Sequence, residues 1–465
     1  MRVLFVTHFY LPEGTAGVEV YTHTLARALQ AVGHEVRVVC ATQWGRGARH
    51  WNGALSDVYE GVAVERLAFN WMLAPRPLDY LYDNPVAAAQ CRQLMEEWRP
   101  DVVHITSCYT LSASVIEAAR ALDVPILLQL HDYWFICPRH TLLRWDDTVC
   151  AEPVTAADCQ RCMLGDAKAY RWPRKVASEA MTLNLIDAIG QVDAATRLPG
   201  MRGIVGHFNQ RRSYLLARLA ECDAVVATSE YLKHRHEMAG VPEGRIEVVR
   251  HGSHVTFGAL HRIAAPAPLR IGYVGTLSPI KGVHVLIEAF QKLGQGRATL
   301  QIHGPLRDDA YAARLRALAA GNPGIEFRGR FERGETVNVL RGMDVLVVPS
   351  VWYENSPLVI REAFAAGVPV IISRHGALPE MVREDVDGLL FHPGDADDLA
   401  RQMRRLLDDP QLLSRLQAGV EPPRPLAAEI DEILDRYRRL TPATLAGPVA
   451  PLTSETAYPS VITWP

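Results

Sequence analysis

Val351-Trp352-Tyr353-Glu354-Asn355-Ser356-Pro357-Leu358-Val359-Ile360-Arg361-Glu362 decides the fold, because of what stands on either side of it. Before it runs Asp344-Val-Leu-Val-Val-Pro-Ser350, an apolar stretch that predicts a buried parallel strand. After it comes Ala363-Phe-Ala-Ala-Gly367, a helical run stopped by a glycine. Ser356 is a good helix cap, and Pro357 suits the first helical position, where no N–H is needed. Glu354 then falls in the loop at the strand's carboxyl end, and Glu362 about two turns into the helix. The free N–H groups and dipole of a helix start favour an anion such as phosphate. On this reading the loop acid is in reach of a sugar, the helix acid of a ribose, and a pyrophosphate lies between them. Two glutamates eight apart are common in any sequence; it is the strand, loop, cap and helix around them that give the spacing meaning.

Glu354 and Glu362 match the E-x7-E motif of the retaining family-4 glycosyltransferases with the GT-B fold. Gly272-Tyr-Val-Gly-Thr-Leu-Ser-Pro-Ile-Lys-Gly282 and Gly376-Ala-Leu-Pro-Glu-Met-Val together with Asp387-Gly-Leu-Leu-Phe391 also resemble that family. The resemblance covers roughly residues 1–440 and implies an α/β fold of two Rossmann-like domains facing across a cleft. The first would span residues 1–263 and the second 269–420. A helix over 425–440 would cross back to the first domain, and 441–465 would be a disordered tail. The implied activity moves a sugar from a nucleotide diphosphate donor to a lipid-linked or glycan acceptor, in cell-surface polysaccharide or glycolipid synthesis. It would retain the anomeric configuration and need no metal for catalysis. Carried onto this chain, the resemblance makes His131 and Glu354 the catalytic candidates. Gly17, Thr276, Lys281, Asn355, Ser356, Leu358 and Glu362 become the donor-binding ones. One departure stands out: many relatives have arginine where Thr276 stands, so one phosphate cation is missing or supplied elsewhere. Two other readings stay open, a non-catalytic GT-B homologue acting as a partner subunit and a GT-B sugar-nucleotide epimerase.

A chain of 465 residues has room for two domains with separate cores, and 48 % apolar with 22 % charged content is ordinary for a globular protein. The net charge of −3 gives no reason to expect nucleic acid as a partner. Only five of the 49 basic residues are lysines, which makes each lysine worth examining. No apolar run reaches the roughly 18 residues of a membrane span. Met1-Arg-Val-Leu-Phe-Val-Thr7 looks like a first strand and not a signal peptide, so a cytoplasmic protein is expected.

In chain order, strands are predicted at Arg2–Thr7, 35–40, 101–105, 125–130, 222–229 and 246–252. A helix should fill Val18 to Leu29, and another Ser112 to Leu122. The Gly14-x-x-Gly17 loop lacks the full dinucleotide fingerprint, so NAD is not expected. Gly17 either lets backbone approach a ligand or is a plain helix-start glycine. His131-Asp132 follows a strand at its carboxyl end, where open α/β sheets place ligands. The second half should hold strands at 269–275, 298–303, 325–329, 344–350 and 367–373, and a helix from Ala396 to Asp408. Ala264-Ala-Pro-Ala-Pro268 reads as the linker between halves.

Two features fall outside that pattern. Cys137, Cys150, Cys159 and Cys162 lie within a short insertion, about 137–165, and end in C-x2-C. They are candidates for a structural zinc site, with reduced unligated thiols or a disulfide as alternatives. Residues 163–220 read as mostly helical and carry Lys168, Arg171, Arg174, Lys175, Arg197, Arg202, Arg211, Arg212 and Arg218, with Trp172, Phe208 and Tyr214 between them. Such a surface can lie on an anionic membrane, peripheral to the inner face, or can be a solvated helix face.

Overall fold

The computed structural model describes residues 1–14, 16–43, 45–146, 148–150, 154–165, 178–190, 192, 208–253, 268–306 and 309–441. Residues 264–267 of the expected linker and 442–465 of the expected tail lie outside them. The chain forms two compact units: Met1–Thr228 with Leu232–Val249 and the segment from Ile430 on, and Ser229–Tyr231 with Arg250–Glu429.

The first unit is built on eight strands: β1 Arg2–Thr7, β2 Glu35–Thr42, β3 Trp51–Tyr59, β4 Val62–Phe69, β5 Val102–Ile105, β6 Ile126–Leu130, β7 Ala224–Ala227 and β8 Glu247–Val248. Their order is β3-β4-β2-β1-β5-β6-β7-β8, parallel except for the β3–β4 pair. β5 and β6 are buried at every position, because helices cover both faces of a parallel sheet. The β3–β4 hairpin has no counterpart in the sequence reading. It turns at Glu60-Gly61, both with positive φ, the two-residue connection whose twist suits a hairpin. β3 is an edge strand of mixed exposure, so it lacks the continuous apolar run that marked the others. The helix expected from Ser112 starts at Ser114, since Ser112 sits at φ +68.

The second unit holds β9 Leu269–Val274, β10 Ala298–His303, β11 Ile325–Gly329, β12 Val345–Val348, β13 Val370–Ser373 and β14 Gly388–Phe391. They run in the order β11-β10-β9-β12-β13-β14, all parallel. Strand alternation splits the core into two layers. Val345, Val347 and Ile371 pack with Val285, Leu286 and Phe290 of the helix Val283–Gln291 and with Leu399 and Met403 of Ala396–Asp408. Leu346, Val348 and Ile372 pack the other way, with Ile360 and Ala363 of the helix Leu358–Ala365. Pro410 does not only end a helix; it is the first residue of another, Pro410–Gly419, with Asp409 accepting from Gln411 and Leu412 N–H as its cap.

The helix Leu426–Leu440 begins in the second unit, and from Ile430 on it belongs to the first. Tyr437, fully buried, is hydrogen-bonded to His104 Nδ1 on β5 at 2.6 Å, and His104 Nε2 donates to Gln129 Oε1 on β6 at 3.0 Å. In the neutral imidazole a ring that donates through one nitrogen accepts through the other, and in that form the Tyr437 hydroxyl is the donor. Gln129 Oε1 also accepts from the Tyr21 hydroxyl at 3.0 Å, and the Tyr21 ring lies 4.8 Å from that of His131.

Candidate functional site

In the second unit the chemistry gathers at the carboxyl ends of β9, β12 and β13. β12 ends at Val348, and the loop that follows carries Glu354 and Asn355, both buried, with Glu354 only 5 % exposed. The Glu354 carboxylate accepts from Lys281 Nζ at 2.6 Å and from the Ser350 hydroxyl at 2.7 Å. Burial alone would raise this carboxyl; the Lys281 ammonium and the Ser350 hydroxyl outweigh it and hold it below its ordinary value. It is therefore ionised at neutral pH. The Lys281 ammonium also sits 5.0 Å from the Trp352 ring centroid. An ammonium has three N–H donors, so pairing with Glu354 leaves capacity for a phosphate.

Backbone fit fixes this arrangement. Gly282, at φ +69, follows Lys281 and caps the helix Val283–Gln291; a Cβ there would lie 1.9 Å from the Pro349 carbonyl oxygen. Only glycine lets the Lys281 loop run so close to the end of β12. On the other side, the turn after β13 brings Gly376 at φ +61 against Glu354, where a Cβ would lie 3.0 Å from the Glu354 carbonyl oxygen. That carbonyl accepts from Ala377 N–H at 3.0 Å, and His375 Nε2 donates to the Ser350 carbonyl at 2.9 Å. Burial pushes the His375 imidazole below its ordinary value, so it is neutral and can bond in this way. Ser350 and His375 are the parts of the site that sequence reading missed. Both follow strand ends, which is the signal that could have found them.

The helix start differs from expectation. The helix is Leu358–Ala365, so Leu358 is its first residue and Pro357, in extended conformation, is its cap. Ser356 is not the cap: its hydroxyl accepts from Arg361 Nη1 at 2.8 Å. Arg361 is nearly buried and needs acceptors, and it takes the hydroxyl that would have capped the helix. Glu362 is thus the fifth residue of the helix, just over one turn in, and half-buried. Thr276 is exposed, and its carbonyl accepts from the Tyr273 hydroxyl at 2.8 Å.

In the first unit His131 follows β6 directly and is half-buried. The Asp132 carboxylate accepts from Trp134 N–H at 2.8 Å and so caps the following turn. His8, at the end of β1, forms a 3.2 Å pair with Glu19, and Tyr109 packs against both His8 and His140. These four residues were not singled out from sequence, although His8 shares with His131 the position after a strand. Gly17 is the first residue of the helix Gly17–Ala31, and a Cβ added there would meet nothing within 4 Å. No packing contact demands glycine at that place.

Cys137, Cys150, Cys159 and Cys162 all line one small pocket, with Arg139 and Arg144. Among the described residues no three or more His, Cys, Asp or Glu side chains are drawn together closely enough, as they stand, to hold a metal ion. Of the nine basic residues named above, Arg211, Arg212 and Arg218 are described, and all three turn inward. Arg211 is buried and donates to the Trp134 carbonyl, Arg212 donates to the Ala239 carbonyl, and Arg218 pairs with Glu117 and Glu221. The other six, with Trp172, lie outside the described residues, as does the Phe208 side chain. No helix among the described residues is long and apolar enough to cross a membrane.

Comparison with known proteins places the chain among glycosyltransferases. Residues 268–409 match the family model described as Glycosyl transferases group 1, and residues 15–174 match Glycosyltransferase Family 4. Glycogen synthase of Mycobacterium tuberculosis is 26 % identical over 440 residues, covering 89 % of this chain and 88 % of that protein. A putative colanic acid biosynthesis glycosyltransferase of Escherichia coli, WcaL, is 30 % identical over 211 residues, 43 % of this chain and 51 % of that one. Among solved structures, Anabaena Alr3699/HepE in complex with UDP superposes with a TM-score of 0.64 at 17 % identity, covering 95 % of this chain and all of that one.

Proposed function

The chain belongs to the group 1, family 4 glycosyltransferases of GT-B fold, and from that premise we propose that it is a retaining transferase using a nucleotide diphosphate sugar in polysaccharide or glycolipid synthesis. The observation that carries the reading is the Lys281–Glu354 pair, anchored by Ser350 beside the start of the helix that bears Glu362. A cation next to a helix start is what a departing diphosphate requires, and it makes a metal ion unnecessary. The solved neighbour with UDP bound supports a nucleotide diphosphate donor, and the colanic acid biosynthesis relative supports a part in polysaccharide synthesis.

In this reading Glu362 holds the ribose hydroxyls, and the amides from Leu358 hold the pyrophosphate with Lys281. Glu354 and Asn355 face the sugar, and Gly17 and Thr276 border the phosphates. The acceptor oxygen attacks the anomeric carbon on the face from which the donor oxygen leaves. The bond from that carbon to phosphate breaks as the new glycosidic bond forms. The acceptor proton passes to the departing phosphate oxygen, and His131 is the catalytic candidate of the first unit.

Glu362→Ala is expected to weaken binding of the nucleotide sugar, measured by calorimetry. His131→Ala and Glu354→Ala should chiefly lower turnover. Loss of a charged hydrogen-bond partner is worth about 1.5–3 kcal/mol, roughly a ten- to hundredfold change. A product of inverted anomeric configuration by NMR would sink the mechanism. Conversion of the donor without any acceptor would point to an epimerase instead.

The acceptor in this reading is lipid-linked or a glycan, and a lipid-linked one would carry with it a place at the inner face of the cytoplasmic membrane. Met181 and Leu185, 65 % and 56 % exposed, stand one turn apart on the helix Glu179–Gly190. In sequence they are flanked by Lys168, Arg171, Arg174, Lys175, Arg197 and Arg202. Each basic side chain near an anionic bilayer is worth about 1 kcal/mol. The protein is expected to sediment with anionic vesicles at low salt and leave them at high salt. Equal binding to neutral vesicles, or none to either, would favour a soluble acceptor.

A further inference from the structure

The four cysteines of the 137–165 insertion belong to neither sheet's ligand end, yet the fold assembles them. Cys159 and Cys162 lie three apart on the helix Ala156–Leu164, so they project from one face of it. That helix is held by a capping box in which Thr155 and Asp158 bond each other's backbone. Cys150 comes from the short ladder at Leu143 and Val149, where its N–H donates to the Leu142 carbonyl at 2.8 Å. Cys137 comes from the turn after His131, its N–H donating to the Tyr133 carbonyl at 2.7 Å. Three separate pieces of backbone thus deliver four thiols to one pocket.

We infer that Cys137, Cys150, Cys159 and Cys162 are the ligands of one structural zinc ion that closes this pocket. Four sulfurs suit zinc better than the hard cations, which want oxygen, and the one carboxylate lining the pocket, Asp158, is engaged by Thr155 and Arg161. As they stand, the four thiols are not drawn together closely enough to hold the ion. Cys162 Sγ–H is turned to the Leu143 carbonyl at 3.9 Å, a contact that a protonated thiol makes and a metal-bound thiolate gives up. Binding releases the four thiol protons to solvent and forms four zinc–sulfur bonds of about 2.3 Å, so the side chains must rotate inward. A zinc ion with four thiolates carries two net negative charges. Arg139 and Arg144 line the pocket, and the buried Arg211 stands within electrostatic range of Cys137 and Cys159, so compensating charge is built in. The ion would pin the insertion to the turn that follows His131, without touching substrate.

The full chain, produced in zinc-supplemented medium, is expected to carry about one zinc per molecule by elemental analysis. Modification of its thiols with an organomercurial should release that zinc to a chromogenic chelator. Cys159→Ser/Cys162→Ser should lose the metal, while Cys91→Ala, altering a buried cysteine elsewhere in the first unit, should keep it. If the double variant does not fold, the wild-type release experiment decides alone. Protein free of zinc, iron in its place, or zinc unaffected by thiol modification would each overturn the assignment.

Discussion

Lys281→Met is expected to weaken binding of the nucleotide sugar donor by roughly ten- to a hundredfold, the worth of one charged hydrogen bond. It should also destabilise the second unit. Removing one partner of a buried pair leaves an uncompensated charge, at about 3–5 kcal/mol where both are fully buried. The Lys281 side chain is 27 % exposed, so about 2–3 kcal/mol is a fairer figure here. The two effects can be told apart by pH. With Lys281 in place, the folded Glu354 carboxyl lies below its ordinary value, so the pair contributes stability above the unfolded value and loses it as pH falls through the folded one. In the variant the Ser350 hydroxyl remains but the Lys281 charge is gone, so burial weighs more heavily on Glu354, its carboxyl rises, and it takes up a proton more readily as the pH falls. The gap in melting temperature between wild type and variant should therefore narrow on going from pH 7 toward pH 5. Unchanged donor affinity would show that the phosphates bind somewhere else, whatever happens to stability.

Gly282→Ala should be as damaging to stability, for a steric reason. Its φ of +69 costs a residue with a Cβ about 1–2 kcal/mol, and the added carbon would lie 1.9 Å from the Pro349 carbonyl oxygen. That neighbour is backbone at the end of a buried strand, so the loop itself must shift, adding about 1–3 kcal/mol. A loss near 3 kcal/mol corresponds to a fall in melting temperature of roughly 6–12 °C for a domain of this size. Displacement of Lys281 should also weaken donor binding. Gly17→Ala is the control: open space surrounds that position, and stability should hardly move. A Gly282→Ala protein that melts with the wild type would mean that the close approach to Pro349 is not a constraint in solution.

The parallel sheets were legible in the sequence because their strands are continuous apolar runs between loops, as at Val345–Val348 and Ile126–Leu130. The β3–β4 hairpin was not, since an edge strand that alternates weakly looks like a loop, and its only sharp mark is Glu60-Gly61. Glu354, Lys281 and Glu362 could be named from motif and context. That Lys281 and Glu354 bond each other could not, because they are 73 positions apart and no periodicity links them. The helix cap was misplaced by one residue because Arg361, five positions on, competes for the Ser356 hydroxyl. Local propensity predicts a cap only when nothing from the tertiary structure claims the same atom.

The run from Tyr437 through His104, Gln129 and Tyr21 to the ring of His131 bears on how such chains can be recombined. The first unit is discontinuous in sequence, and its last piece arrives after the whole of the second. A chimera made by joining the front half of this chain to the back half of a relative, cut near residue 264, would look like a clean exchange of modules. It would in fact put a foreign residue where Tyr437 stands, two hydrogen bonds from Gln129. Clean exchange of the first unit between relatives therefore requires two crossovers, the second before residue 430, so that the closing helix travels with the unit it belongs to.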